Sequence, residues 1–237
     1  MLSIAGYDPS AGAGVLADIQ TFTSLGVQGM AATTCVTYQD EDQVYGIDWL
    51  SFEQIQRQLS PILSKYNVSF VKIGLIESIE RMSEIVDLVL DHKPNTKVIW
   101  DPIVSSSSGF EILAENQEVL QLTIPKLFLA TPNLPEYKWL KEQNVTHETN
   151  ILIKGGHSLT DDVSDLLIWK SKEYIIEGKK KKKLDKHGSG CILSSAILAR
   201  LALGHNLFDA CIAAKAYINS YLTTSTTKLG KHHLVSI

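Results

Sequence analysis

Cysteine is scarce in this 237-residue chain, with Cys35, Cys191 and Cys211 alone. Three is odd and no pair has CxxC spacing, which argues against a disulfide framework or a thiolate metal site. A reduced, cytoplasmic setting is expected. No run of about 18 apolar residues occurs, so no membrane span is expected. The opening Met1-Leu2-Ser3-Ile4-Ala5-Gly6 lacks the basic start and long apolar core of a secretory leader. Neither sign of charge dominates: the net charge is −4 and the pI near 6.0. Nothing global therefore points to nucleic acid or an anionic membrane surface. G-x-x-x-x-G-K-[ST] is missing, which excludes a P-loop nucleotide site. No internal repeat and no linker divides the chain, and residues 1–237 are expected to form one domain.

What is present alternates short apolar runs with helical stretches. Strands are expected at Leu2–Gly6, Ala31–Tyr38, Phe70–Ile73, Lys97–Trp100, Leu127–Ala130 and Ile151–Lys154. Between them, helical spacing covers Gly14–Leu25, Ser51–Tyr66 and about Ile79–His92, with a further short helix after a serine loop. This rhythm predicts an α/β fold, a mainly parallel sheet with helices on both faces. It changes at Leu166. Leu166–Lys170 and Glu173–Ile176 are close enough for an antiparallel pair, and two helices, Cys191–Leu203 and about Leu207–Leu222, follow.

In open α/β sheets ligands bind beyond the carboxyl ends of the strands. Those ends carry Gly6-Tyr7-Asp8-Pro9-Ser10, Gln39-Asp40, Gly74, Asp101-Pro102, Asn133-Leu134-Pro135-Glu136 and Lys154-Gly155-Gly156-His157. The sharpest single element is His187-Gly188-Ser189-Gly190-Cys191 before an apolar helix. Glycines let successive N–H groups point into one concavity, and the helix adds positive potential there. The plain reading is a glycine turn with Ser189 as N-cap. Gly12-Ala13-Gly14-Val15-Leu16-Ala17 also matches the dinucleotide fingerprint G-x-G-x-x-A, with Asp40 near the position of a ribose-binding acid. That reading leaves the second glycine loop without a task.

Taken in order, these pieces resemble the hydroxymethylpyrimidine/phosphomethylpyrimidine kinases of thiamine biosynthesis, within the ribokinase-like superfamily. The matching residues are Ile4-Ala5-Gly6-x-Asp8-Pro9-Ser10-x-Gly12-Ala13-Gly14 with Ala17-Asp18, then Val71-Lys72-Ile73-Gly74 and Asp101-Pro102. Thr131-Pro132-Asn133-Leu134-Pro135-Glu136, Lys154-Gly155-Gly156-His157, Asp161-Asp162 with Asp165, and the loop ending in Cys191 follow. The cysteine is telling, because most ribokinase-like enzymes resemble one another in having aspartate there. The resemblance implies a three-layer sandwich and an ATP- and Mg2+-dependent kinase acting on a pyrimidine alcohol, with a homodimer expected. Gln39 is expected to read the pyrimidine edge, since an amide offers both a donor and an acceptor. Asp18 is expected as a second substrate contact, Gly6 and Ala13 as room for the flat ring, and Leu75 as packing on its face. Asn133, Glu136 and Asp101 are the expected magnesium neighbours, directly or through water. Lys154 is expected to neutralise ATP phosphates. Gly188, Ser189 and Gly190 would hold the moving phosphoryl, and Cys191, its thiol acidified by the helix N-terminus, would accept the hydroxyl proton.

Three departures qualify the resemblance. Ser107 stands where the family commonly has lysine, two places before Gly109, so the monophosphate is expected to be the poorer substrate. Tyr7 replaces a small hydroxyl residue. Lys186 replaces a small residue before His187, and the run Lys179–Lys183 precedes it; such cations would steer phosphates or form a solvated hairpin tip. A pyridoxal or pyridoxine kinase is the alternative within the fold. A nucleotide- or vitamin-binding regulator and a dinucleotide oxidoreductase are the alternatives outside it.

Overall fold

In a computed structural model, the structure describes residues 1–103, 116–155, 164–178 and 186–233. Nine strands form one sheet in the order β3-β2-β1-β4-β5-β6-β7-β8-β9. They are β1 (Leu2–Tyr7), β2 (Met30–Gln39), β3 (Val44–Trp49), β4 (Phe70–Ile73), β5 (Lys97–Trp100), β6 (Leu129–Ala130), β7 (Asn150–Ile153), β8 (Asp165–Trp169) and β9 (Lys172–Ile176). β2, β1, β4, β5, β6 and β7 run parallel, and antiparallel β3 on one edge and β8–β9 on the other finish the sheet. The carboxyl ends of all six parallel strands therefore share one rim. The antiparallel partner of β7 begins at that rim, which places Asp165 there too.

The period-2 alternation of the strands sorts their side chains into two cores. Leu2, Ile4, Val71, Ile73, Val98 and Trp100 pack against α2 (Phe52–Lys65), α3 (Ile79–His92) and α4 (Gln117–Thr123). Ile99, Leu129, Leu152 and Leu167 point the other way, onto α1 (Gly14–Ser24), α6 (Ser189–Ala202) and α7 (Leu207–Tyr221). The result is the expected three-layer sandwich. Polar Ser3 and Lys72 interrupt two apolar strands on the α1–α6 side, and both are fully buried.

Among the described residues, five of the seven helices carry side-chain N-caps: Ser51 on α2, Ser78 on α3, Asn116 on α4, Asn133 on α5 (Leu134–Glu142) and Asn206 on α7. Helices α1 and α6 start from Ala13 and Gly188 with no side-chain cap. The two uncapped N-termini are those that follow the glycine loops. Gly188, not Ser189, is the N-cap, and its φ of +68° favours glycine.

The sequence pattern overlooks β3 and α5. Val44–Trp49 is half exposed on a sheet edge, where no apolar alternation is required. Helix α5 is short and starts with proline at its N-terminus. Its start signal, the Asn133/Glu136 capping box, has the same spacing as the metal motif expected from the sequence.

Candidate active site

The two glycine loops interlock at the rim. A Cβ on Gly14, whose φ is +60°, would lie 2.2 Å from the Gly6 carbonyl oxygen; one on Gly188 would lie 2.0 Å from that of Gly12. Side chains fix the pairing. Asp8 accepts from the Ser10 and Ala13 amides at 2.9 and 2.8 Å, and its carboxylate meets His187 Nε2 at 2.8 Å. Burial alone would raise the Asp8 carboxyl, but hydrogen bonds from His187, Ser10 and Ala13 hold it below the usual carboxylate value. Ala13 packs against Gly188, so it shapes the junction between the loops as well as the floor of the site.

Beyond that junction the rim presents a cation. Lys154, just past β7, donates to Asp101 Oδ1 at 2.8 Å, and its ammonium lies 3.9 Å from Glu136 Oε2. A Cβ on Gly190 would come within 3.3 Å of Lys154 Nζ. The ammonium thus faces the second glycine loop. Burial opposes its charge, but Asp101 and Glu136 keep its pKa raised. The Ser189 amide is engaged by the Lys186 carbonyl at 3.3 Å. Among the described residues nothing accepts from the Gly190 and Cys191 amides. Two outward N–H groups at a helix N-terminus, with an ammonium facing them, form an anion cradle.

Several expectations need correction. Asp18 does not face the rim: it is fully buried, its oxygens taken by Ser3 at 2.5 Å, Lys72 at 2.5 Å and Ser195 at 2.6 Å. The Cys191 thiol is not acidified. Burial pushes it up to about 11, with Asp101 and Asp18 adding to the rise while Lys72 and the Gly14 amide oppose it. Desolvation outweighs the helix terminus here. Lys186 does not reach for phosphate, because its ammonium is turned into the segment Ser225–Thr227. Ser107 and Gly109, Gly156-His157, Asp161-Asp162 and Lys179–Lys183 lie outside the described residues.

Gln39 ends β2 half-buried, and its amide bonds to no described side chain. Leu75 and Gly6 are neighbours, a Cβ on Gly6 lying 3.0 Å from Leu75 Cδ2. The residues expected around magnesium are largely taken. Asn133 Oδ1 accepts from the Glu136 amide at 2.9 Å, and Glu136 Oε2 from the Asn133 amide at 2.7 Å. Asp101 accepts from Lys154, Thr131 and Ser194. Among the described residues no group of three metal-binding side chains occurs. Nothing among the described residues bonds to Glu136 Oε1, and burial drives this carboxyl up to about 7, with Lys154 opposing. A carboxylate held up by desolvation and offering one open oxygen fits an ion that keeps much of its water, as Mg2+ does.

Cavity size alone would point elsewhere. A cavity of about 430 Å³ lies between α1 and residues 230–232, and one of about 340 Å³ lies against α7, lined by Arg200, Tyr217, Ser220, Tyr221, Lys231 and His233. The rim has the charge and the free donors.

An α/β/α sandwich with an anion cradle at a helix N-terminus, and no P-loop, defines a small-molecule kinase of the ribokinase-like kind. A family model described as phosphomethylpyrimidine kinase matches residues 8–236, and the chain belongs to that family. It is 32% identical to a hydroxymethylpyrimidine/phosphomethylpyrimidine kinase of Staphylococcus aureus over 92% of this chain and 86% of that one. With the kinase of the same name from Aquifex aeolicus the identity is 33%, over 97% and 96%. Among solved structures, phosphomethylpyrimidine kinase from Clostridium difficile superposes with a TM-score of 0.75 at 30% identity, covering 92% of this chain and 97% of that chain. Pyridoxal kinase from Staphylococcus aureus in complex with ADP superposes at 0.83 with 26% identity, covering 98% and 93%.

Proposed function

We propose that the chain transfers the γ-phosphoryl group of ATP to the hydroxymethyl oxygen of 4-amino-5-hydroxymethyl-2-methylpyrimidine, and less efficiently to its monophosphate, in thiamine biosynthesis. The observation that carries this reading is the Lys154 ammonium facing Gly190 across the cradle, with Asp101 behind it. Phosphoryl transfer has a loose transition state, so donors already aimed at the moving group supply most of the catalysis. The Gly190 and Cys191 amides and Lys154 would hold the equatorial oxygens. The hydroxyl oxygen bonds to phosphorus as the bond to the ADP oxygen breaks, and the hydroxyl proton passes to Cys191 in its thiolate form, which becomes the thiol. Glu136, through its open oxygen, and Asp101 and Asn133, through water, would keep Mg2+ beside the phosphates, where it would supply neutralisation of their negative charge. Gln39 at the strand end would pair with the aminopyrimidine edge, and Leu75 and Gly6 would bound the ring.

Tyr7 and Val36 are register partners on β1 and β2, and Tyr38 lies two residues on from Val36. All three are exposed, an apolar patch that supports a homodimer. No described helix is long and apolar enough to cross a membrane. The three thiols of the chain favour a cytoplasmic setting.

The likeness to pyridoxal kinase favours one second reading, a kinase for pyridoxal. ADP release measured with the pyrimidine alcohol, its monophosphate and pyridoxal separates them. The alcohol should give the highest kcat/KM, with the monophosphate next. A preference for pyridoxal would exchange the two readings, and ADP formation independent of any acceptor would defeat both.

A further inference from the structure

Lys186 is almost fully buried, 5% exposed, yet no carboxylate among the described residues pairs with it. Three neutral oxygens surround its ammonium instead. The Ser225 carbonyl accepts at 2.8 Å, the Ser225 hydroxyl at 2.6 Å, and the Thr227 carbonyl completes the set. Burying an ammonium is costly unless strong acceptors replace its water. A cage of carbonyl and hydroxyl oxygens is also what strips water from a free monovalent cation. Here the cation is tethered to the chain.

The two sides of this cage are the ones that matter. Immediately after Lys186, the His187 amide donates to the Lys228 carbonyl at 3.0 Å while its ring holds Asp8. Then comes Gly188, pressed on the first glycine loop. On the other side, the Ser225 hydroxyl donates to the Leu229 carbonyl and Thr227 Oγ1 does so at 3.0 Å, folding the segment into a tight turn. Leu229 reaches Gly12: a Cβ there would lie 2.8 Å from Leu229 Cδ2. Residues 225–229 therefore strap both glycine loops from outside, and Lys186 is the charged point at which the strap is fastened.

We propose that Lys186 is a positioning residue whose ammonium acts as a built-in cation, fastening the 225–229 strap to the second glycine loop and so setting the shape of the phosphate cradle. It touches no substrate. Its effect passes through His187 and Gly188 to the Gly190 and Cys191 amides. The inference rests on the assignment of that loop to ATP phosphates.

The test is ATP binding by calorimetry and steady-state kinetics on Lys186→Ala, Lys186→Met and Ser225→Ala, with thermal unfolding as the control for folding. Losing bonds to a charged group should weaken ATP binding about 10-fold to 100-fold in both lysine variants. KM for the pyrimidine alcohol should hardly move. Ammonium chloride should restore Lys186→Ala, where the cage is open, and not Lys186→Met, where the methionine stem fills the way in; sodium chloride at equal ionic strength should do neither. Ser225→Ala, which keeps the lysine, should show a smaller loss in the same direction, so the idea stays testable if the lysine variants do not fold. Unchanged ATP affinity in the folded variants overturns the brace. So does a loss that ammonium does not reverse in Lys186→Ala, because stem packing rather than charge would then be at work. Gly190→Asp places a carboxylate in the cradle itself. If it abolishes ATP binding while the Lys186 variants bind normally, the loop assignment stands and the brace falls; if it too binds normally, the loop assignment is what has failed.

Discussion

Two lysine–carboxylate pairs pack on the same sheet, and they do opposite work. Lys72 and Asp18 meet at 2.5 Å with neither side chain exposed, and Ser3 and Ser195 take the remaining carboxylate capacity. Lys154 and Asp101 meet at 2.8 Å with the lysine 13% exposed, its head toward Gly190. The first pair points inward from mid-strand, stitching β1 and β4 to α1 and α6. The second stands one residue past the strand ends, where the rim opens. A few ångströms along a strand thus separate a charge pair that closes on itself from one left with a face to offer. For Lys72, burial would lower the ammonium, but Asp18 first, then Cys191 and Asp101, hold its pKa raised. The ammonium therefore stays charged in the interior.

The largest way to break this comparison is to remove one partner of the inner pair. Lys72→Met leaves the Asp18 carboxylate buried without its cation, and a broken buried pair costs about 3–5 kcal/mol. Adding Asp18→Asn, which keeps acceptors and donors for Ser3 and Ser195, should recover most of the loss. Denaturant unfolding of the two singles and the double checks this. Turnover per folded molecule should fall far less than stability does; a mainly catalytic defect would move Asp18 back to the substrate.

The outer pair should behave the other way round. Lys154→Met removes one donor from the cradle, and such a loss costs about 10²–10³-fold in kcat. Its fold should lose less than in Lys72→Met, because Lys154 is 13% exposed, so water can take the place of its ammonium beside Asp101, which also keeps Thr131 and Ser194 as donors. Stopped-time ADP assays and an unfolding curve on the same preparation decide it. A variant that unfolds while keeping its kcat would make both pairs structural.

Cys191 sits between the pairs and feels both. With its thiol pushed up to about 11, the thiolate is a minor species at neutral pH. If the sulfur accepts the hydroxyl proton as thiolate, kcat should climb about tenfold per pH unit on the alkaline side until another step limits. That climb should be missing in Cys191→Ala, whose backbone amides still bind ATP. A flat wild-type profile would remove the thiolate from the mechanism and leave the cradle to do the chemistry alone.

Legibility from the sequence follows the same division. The strands Phe70–Ile73 and Lys97–Trp100 and the helix Ile79–His92 could be bounded to the residue, because each buries a full apolar face between clear stops. The rim motifs could be found because glycine, proline and acid residues cluster at strand ends for reasons local to the chain. The direction of a charged side chain is different, since it depends on partners far away. Asp18 finds Lys72 across 54 residues and Ser195 across 177. One signal was available: Ser3 and Lys72 alternate onto the α1 side of otherwise apolar strands, so a buried acid had to face them. Asn133-x-x-Glu136 was legible twice over, as a capping box and as a metal motif, and the structure gives it the first role while leaving one Glu136 oxygen for the second.

That free oxygen supports the smallest prediction. Burial raises the Glu136 carboxyl from an ordinary value of 4.5 to about 7, against the pull of Lys154. Between those values the folded chain binds more protons than the unfolded one, so unfolding free energy falls as pH rises through that window. The contribution is fully present below about 4.5 and gone above about 7. Glu136→Gln fixes the neutral form and keeps an oxygen for the Asn133 amide. It should therefore add about 1 kcal/mol of stability at pH 8 and nearly nothing at pH 4.5. Part of the gain is offset, because Lys154 loses a nearby charge. The same variant should bind ATP less well when magnesium is present and equally well when it is chelated. Chemical unfolding at the two pH values, with ATP titrations in magnesium and in chelator, separates the effects. Equal destabilisation at both pH values would mean that Glu136 is ionised and paired throughout, an inner charge after all, like Asp18.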